Sequence, residues 1–265
     1  MKILFISLGC DKNLADSEEM LGLLTGNGHE IVDSEEEADA IVINTCCFIH
    51  DAKEESVNTI LEMAEYKKTG TCKILIVTGC MAQRYKEEIT EEIPEVDAVL
   101  GTTSYGDIVK ALNEAEAGHV FQEFKDINAL PEDSGRRVIT TGGHFGYLKI
   151  AEGCDKHCTY CIIPSLRGKF RSVPEERLLK QAEYMASQGV RELILVAQET
   201  TVYGTDLYGK KTLHILLKKL CQIKGIRWIR VLYCYPEEIY DELIQVMKEE
   251  KKICHYLDLP IQHAS

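Results

Sequence analysis

A chain of 265 residues with 45% hydrophobic content carries enough apolar material for one large core or two ordinary ones, which excludes a disordered chain. Its formal net charge of −13 is an unfavourable field for a partner made of phosphates and a favourable one for a basic protein. No run approaches the roughly 18 apolar residues of a membrane span, and eleven cysteines without a secretory signal point to metal or thiolate chemistry in a reducing, cytoplasmic compartment rather than to a disulfide scaffold.

Short β-branched runs alternate with amphipathic stretches from the start, the pattern of a parallel sheet covered by helices. Strands are expected at 2–8, 40–44, 74–78 and 98–100, and helices at 16–25, 52–66, 85–92 and 105–116. The acidic run 33–39 reads as a solvated connection. Together these elements make a doubly wound, flavodoxin-like α/β domain over residues 1–122. Periodicity fades over 123–145, where Pro131, Asp133, Ser134, Gly135, Gly142 and Gly143 accumulate, so an interdomain linker is expected there. A second β/α series fills 146–265, with strands expected at 147–151, 192–197, 228–233 and 256–260 and helices at 174–187, 213–222 and 236–249. Pro174 suits a first helical turn, where its missing amide proton costs nothing. A series that stops on a parallel strand leaves an apolar face uncovered, so the second domain is expected to be an incomplete (β/α) barrel.

The strongest chemical signal is GCDKHCTYC, residues 153–161, a C-x3-C-x2-C loop directly after an expected strand. Cys154, Cys158 and Cys161 can wrap three corners of a cubane cluster and leave its fourth iron open. Structural zinc is the competing reading, but zinc sites usually use C-x2-C pairs and close with four ligands. A second signal is distributed. Cys10, Cys46 and Cys80 each follow an expected strand, in ILFISLGC, IVINTC and ILIVTGC, and the carboxyl ends of parallel strands face one crevice. A second three-thiolate site is therefore expected there, although any one of these cysteines alone could be core packing. Cys47, Cys72, Cys221, Cys234 and Cys254 read as packing. Gln198 ends an expected barrel strand and is a candidate to hydrogen-bond a cofactor, and Gln262 and His263 end the last strand on the same rim. Arg167 and Arg171 read equally as cofactor or substrate contacts and as solvated charges.

The C-x3-C-x2-C loop, with an aromatic just before its last cysteine, is similar to the signature of the radical S-adenosylmethionine superfamily. That resemblance implies a cofactor chelated by the open iron, its one-electron cleavage to a 5′-deoxyadenosyl radical, and Tyr160 lying against the adenine; otherwise Tyr160 is a core aromatic of the loop.

With both cysteine sets in view, the chain resembles the methylthiotransferase family along essentially its whole length. SLGCDKNLADSE, INTCCFIHDAKEES, TGCMAQRY, YLKIAEGCDKHCTYCIIPSLRG and LPIQHAS look like the RimO-like branch, which modifies small-subunit ribosomal protein twelve, rather than the MiaB-like tRNA branch, which typically has G-C-Q-M-N after its first cysteine. Asp11 replaces that branch's usual proline, Glu199 its usual aspartate, and 141–146 departs from its T-P-x-H-x-A. The resemblance implies an enzyme with two [4Fe-4S] clusters, on Cys10, Cys46, Cys80 and on Cys154, Cys158, Cys161. It also implies S-adenosyl-L-methionine as cofactor and an aspartate β-carbon as target, with an electron donor such as flavodoxin or ferredoxin. A remainder of two more barrel strands and a TRAM-type domain, absent here, is implied as well. A tRNA methylthiotransferase and a non-catalytic iron–sulfur electron carrier are the alternatives.

Overall fold

A computed structural model describes residues 1–261. They divide into two compact units, one of Met1–Val138 with Cys158–Arg167, the other of Ile139–His157 with the chain from Gly168 onward. Gln262 and His263 lie outside the described residues.

In the first unit, strands β1 (Lys2–Ser7), β2 (Glu30–Val32), β3 (Ala40–Thr45), β4 (Ile74–Gly79), β5 (Ala98–Leu100) and β6 (Phe121–Glu123) form one wholly parallel sheet in the order β2-β1-β3-β4-β5-β6. β3 and β4 are buried along their whole length, which is why AIVINT and ILIVTG read as nearly unbroken apolar runs. The edges β2 and β6 are three residues each and partly exposed, so no apolar run announces them.

Helices α1 (Asp11–Gly26), α2 (His50–Thr69), α3 (Cys80–Glu92) and α4 (Ile108–Glu116) fill the crossovers. Because successive strand residues face opposite sides, each strand feeds two layers. Val42 and Ile76 pack with Met20 and Leu24 of α1 and with Ile108 and Leu112 of α4. Ile41, Ile43, Leu75 and Val77 pack with Ile60 and Met63 of α2 and Ile89 of α3. Burying such a side chain is worth about 1.5–3 kcal/mol, so the two layers fix the strand ends firmly. This is the doubly wound sheet expected from the sequence, with a short helix α5 (Ile163–Arg167) added: Leu166 is 1% exposed in the α2/α3 layer, and its carbonyl accepts from Thr102 Oγ1 at 2.8 Å.

The stretch expected as a linker divides. Up to Val138 it belongs to the first unit, where it straps α1: Arg137 Nη2 meets Glu18 Oε2 at 2.6 Å with side chains 6% and 0% exposed, and a Cβ on Gly22 would stand 2.7 Å from the Arg136 backbone.

The second unit has a four-stranded parallel sheet of β7 (Phe145–Lys149), β10 (Glu192–Val196), β11 (Trp228–Val231) and β12 (Ile253–Leu257), in simple sequential order. Between β7 and β10 lie the short antiparallel pair β8 (Ala151–Glu152) and β9 (Arg171–Ser172), then α6 (Glu175–Ser187). Helices α7 (Thr205–Tyr208), α8 (Leu213–Leu220) and α9 (Asp241–Glu249) complete the series. A sequential order of parallel β/α units is what a barrel wall requires. The last strand lies three residues earlier than the expected 256–260. Ile253 pairs with Ile229 and Leu257 with Val231, whereas Pro260 has no amide proton to give a ladder.

Candidate active site

The strand order of the first unit reverses at β1, between β2 and β3, and a doubly wound sheet opens its crevice at such a point, beyond the carboxyl ends of the strands. Cys10 lies three residues past β1, Cys46 directly follows β3 and Cys80 directly follows β4, and these three strands are neighbours. Cys10 is exposed; Cys46 and Cys80 are 7% and 6% exposed.

Two glycines permit this approach. Gly9 has φ +89°, and a Cβ there would stand 2.7 Å from Cys46 Cβ and 3.1 Å from Cys46 Sγ. Gly79 has φ +93°, and a Cβ there would stand 2.3 Å from Asn44 Oδ1 and 2.6 Å from the Thr45 carbonyl. Only glycine fits either place. Three helices also begin at this rim: Cys10 is the N-cap of α1, Cys80 opens α3, and α2 starts at His50. Their N-terminal amides favour negative charge, as thiolates and an anionic cluster require.

Behind the cysteines lies a buried polar web. Asn13 Nδ2 donates to the Leu8 and Thr45 carbonyls at 3.1 and 3.0 Å, and Asn44 Nδ2 donates to the Asn13 carbonyl and to Ser17 Oγ, both at 2.9 Å. Ser56 Oγ accepts from Cys46 N at 3.0 Å and donates to Cys46 O at 2.8 Å, clamping that cysteine's backbone. Arg167 is 2% exposed and donates to Asp16 Oδ2 at 2.8 Å and to Asn13 Oδ1 at 2.5 Å. The solvated reading of Arg167 is thereby set aside. Burial raises the Cys46 and Cys80 thiols, and the Arg167 guanidinium opposes that at both. The sequence reading missed this web, although its signal was visible: Asn13, Asp16 and Ser17 recur at helical spacing, and Asn44, Thr45 and Thr78 interrupt apolar strands at their ends.

The other cysteines pack. Cys47 Sγ donates to the Cys80 carbonyl at 3.2 Å from within the α2/α3 layer, where burial pushes its thiol up to about 12. Cys72 lies in the same layer, and burial also raises Cys221 and Cys234 to about 11. Among the described residues, no three His, Cys, Asp or Glu side chains converge on a point fit for a single ion. Cys10, Cys46 and Cys80 stand at the ends of three neighbouring strands.

In the second unit, the loop bearing Cys154 starts from Gly153, whose φ of +78° and a would-be Cβ at 2.1 Å from the Lys169 carbonyl again admit only glycine. Cys154 N donates to the Gly168 carbonyl at 3.1 Å, and Cys154 Sγ accepts from Lys156 N at 3.4 Å, the kind of amide-to-sulfur bond that tunes a cluster. The Phe170 amide donates to Asp155 Oδ1 at 3.0 Å. Beside this loop, a cavity of about 280 Å³ is lined by Cys154, Lys156, Glu199, Lys211 and Glu238 among others. Lys156 pairs with Glu238 at 2.7 Å and Lys211 with Glu238 at 2.8 Å.

At the end of β10, Gln198 Nε2 donates to Glu152 Oε1 at 2.8 Å, and Lys149 Nζ donates to Glu152 Oε2 at 2.8 Å. Gln198 Oε1 and Glu199 Oε2 are buried with no hydrogen-bond partner among the described residues, although Glu199 Oε1 accepts from the Thr201 amide at 3.0 Å. Burial raises the Glu199 carboxyl, against the opposing hydrogen bonds from Thr201 and the Tyr235 backbone and the charge of Lys156. Orphaned acceptors at a sheet rim fit a polar cofactor. Arg171 is buried, so it too is no solvated charge; its guanidinium donates to the Lys169 carbonyl.

Cys158 and Cys161 are half-buried and belong to the first unit's segment, with Cys161 N donating to the Cys158 carbonyl at 3.0 Å. Tyr160 between them is 75% exposed, so it is no core aromatic.

Two family models match the chain: "Uncharacterized protein family UPF0004" over residues 2–101 and "Radical SAM superfamily" over residues 148–265. The two matches liken the chain to a radical S-adenosylmethionine protein with an α/β domain ahead of its radical core, and that class implies a [4Fe-4S] cluster and S-adenosylmethionine. The curated protein of Lachnoclostridium phytofermentans named "Ribosomal protein uS12 methylthiotransferase RimO" is 68% identical over 265 residues, which are 100% of this chain and 60% of that protein. Its namesake in Clostridioides difficile is 53% identical with the same coverage of 100% and 60%. Along its whole length the chain is similar to these methylthiotransferases, and it spans about 60% of the length of these curated relatives. Among solved structures, the radical S-adenosylmethionine methyltransferase TsrM from Kitasatospora setae is similar in fold, with TM-score 0.66 at 12% identity, covering 100% of this chain and 59% of that one. No helix among the described residues is long and apolar enough to cross a membrane.

Proposed function

We propose that this chain forms part of an enzyme that places a methylthio group on the β-carbon of an aspartate in small-subunit ribosomal protein twelve. In this reading Cys154, Cys158 and Cys161 hold one [4Fe-4S] cluster and leave an iron open, and Cys10, Cys46 and Cys80 hold a second. When bound, the clusters and S-adenosylmethionine supply the sulfur, the methyl group and a hydrogen-abstracting radical, which an unactivated C–H bond needs because no side-chain base can deprotonate it.

The chain's own residues bind and orient these groups. Gln198 offers its orphaned carbonyl oxygen, and Glu199 its orphaned carboxylate oxygen, as acceptors for polar groups of the cofactor. Tyr160 offers an exposed ring for the adenine. The amides at the starts of α1 and α3, together with Arg167, hold the negative charge of the second site. The net charge of −13 favours a basic ribosomal protein over a tRNA backbone, and a flavodoxin or ferredoxin is the electron donor that fits the chemistry.

The observation that carries the proposal is the 68% identity along the entire chain to a protein named for this reaction. The test is to reconstitute the protein anaerobically and offer a peptide of the ribosomal protein and a tRNA under reducing conditions. A methylthio mass increment on the peptide is expected. An increment on the tRNA alone would replace the substrate, and cofactor left uncleaved by cluster-loaded, reduced protein would leave an electron carrier.

A further inference from the structure

The segment after Cys161 brings a cation to the cysteine rim of the first unit. Arg167 is 2% exposed, and its Nη2 lies 2.5 Å from Asn13 Oδ1. Cys80 Sγ stands 3.8 Å from that same oxygen, so the guanidinium and the thiol meet at one acceptor. Of the other charges near this rim, Asp16 accepts from Arg167 Nη1 at 2.8 Å, Lys12 bridges Asp11 at 3.1 Å with both side chains 9% exposed, and Arg84 hydrogen-bonds the neighbouring Cys47. Ligation turns three thiols into thiolates, in a place where two of the three are shut off from water.

On the reading that Cys10, Cys46 and Cys80 hold a cluster, we infer that Arg167 is a positioning residue for it: its buried guanidinium offsets the thiolate charge and holds the cluster's reduction potential up, while the Asp16 carboxylate holds it down. Reduction adds an electron, so a nearby cation favours the reduced form and a nearby anion the oxidised form. At an effective dielectric near 20, a unit charge a few ångströms away changes such an equilibrium by roughly tenfold or more.

The experiment uses the chain with Cys154, Cys158 and Cys161 changed to alanine, reconstituted with iron and sulfide, so that only the three-cysteine site can be loaded. The midpoint is read by dithionite titration followed by electron paramagnetic resonance. Arg167→Gln should lower the reduced-to-oxidised ratio at fixed potential about tenfold, a shift of about 59 mV to the negative for a one-electron couple. Asp16→Asn should move it the opposite way, and Arg167→Lys should stay with the parent. A merely structural role gives no such reversal of sign. Midpoints that do not move, that move together, or an Arg167→Lys protein that follows Arg167→Gln would overturn the inference. Should Arg167→Gln fail to fold with Asp16 left unpaired, the direction of the Asp16→Asn shift decides alone. A parent that binds no iron removes the cluster reading and the inference with it, whereas a loaded cluster with an unmoved midpoint removes only the inference.

Discussion

The first unit gathers Cys10, Cys46 and Cys80 from the ends of three adjacent strands, whereas Cys154, Cys158 and Cys161 come from one loop. The distributed set depends on the whole sheet, and its surroundings are densely hydrogen-bonded through Asn13, Ser17, Asn44, Ser56 and Arg167. The rim of the second unit instead keeps acceptors of Gln198 and Glu199 in reserve. A site made by topology is held by its scaffold, while a site made by a loop is free to keep polar atoms for a ligand.

The comparison breaks most sharply if the two cysteine sets are not separable. Changing Cys154, Cys158 and Cys161 to alanine should abolish 5′-deoxyadenosine formation and leave about four irons per chain. Changing Cys10, Cys46 and Cys80 should also leave about four irons, keep cofactor cleavage and abolish methylthio transfer. Iron and sulfide analysis beside the cleavage assay checks both, and loss of all iron from either variant would show one interdependent site.

A smaller effect tests the dependence on the scaffold. Gly79→Ala must drive a Cβ against the Thr45 carbonyl, so it should cost about 1–3 kcal/mol in strain alone and strip iron selectively from the distributed site. Gly118→Ala is the matched control, since its φ is also positive, +82°, but nothing lies within 4 Å of the added Cβ. It should melt somewhat lower yet load both sites; equal iron loss in the two variants would deny Gly79 its particular role.

The smallest effect lies in the second unit. Burial raises the Glu199 carboxyl above its ordinary 4.5, so the folded chain holds that proton more tightly than the unfolded one. Its stabilising contribution is full below 4.5 and is lost as pH rises through the folded value. Glu199→Gln should therefore melt higher than the parent at neutral pH when free of cofactor, and the gap should close below the carboxylate range. Thermal scans across pH check this, and a variant that melts lower at neutral pH would mean that the carboxylate is better satisfied than its burial implies.

Much of this could be read from the residues because buried parallel strands write themselves as apolar runs. AIVINT and ILIVTG announce β3 and β4, and the cysteines that follow them announce a crevice. Edges are harder: Glu30–Val32 and Phe121–Glu123 are too short and too exposed to show a period. Charges are harder for a different reason. The residues leave Arg167 open between a ligand contact and a solvated charge and give no signal for Arg137, because the carboxylates of Asp16 and Glu18 that they meet lie more than a hundred positions away. Pairing at that separation follows from tertiary packing alone, which no local pattern encodes.

The Asp16–Arg167 pair also bears on inheritance. Asp16 falls within the part of the chain matched as one family and Arg167 within the part matched as another, yet their side chains meet at 2.8 Å and are 4% and 2% exposed. Breaking a buried ion pair by removing one partner costs about 3–5 kcal/mol. Recombination that joins the front of one relative to the radical core of another would impose that cost wherever the two parents differ at 16 or 167. Two stretches that match separate families are thus tied through one buried guanidinium.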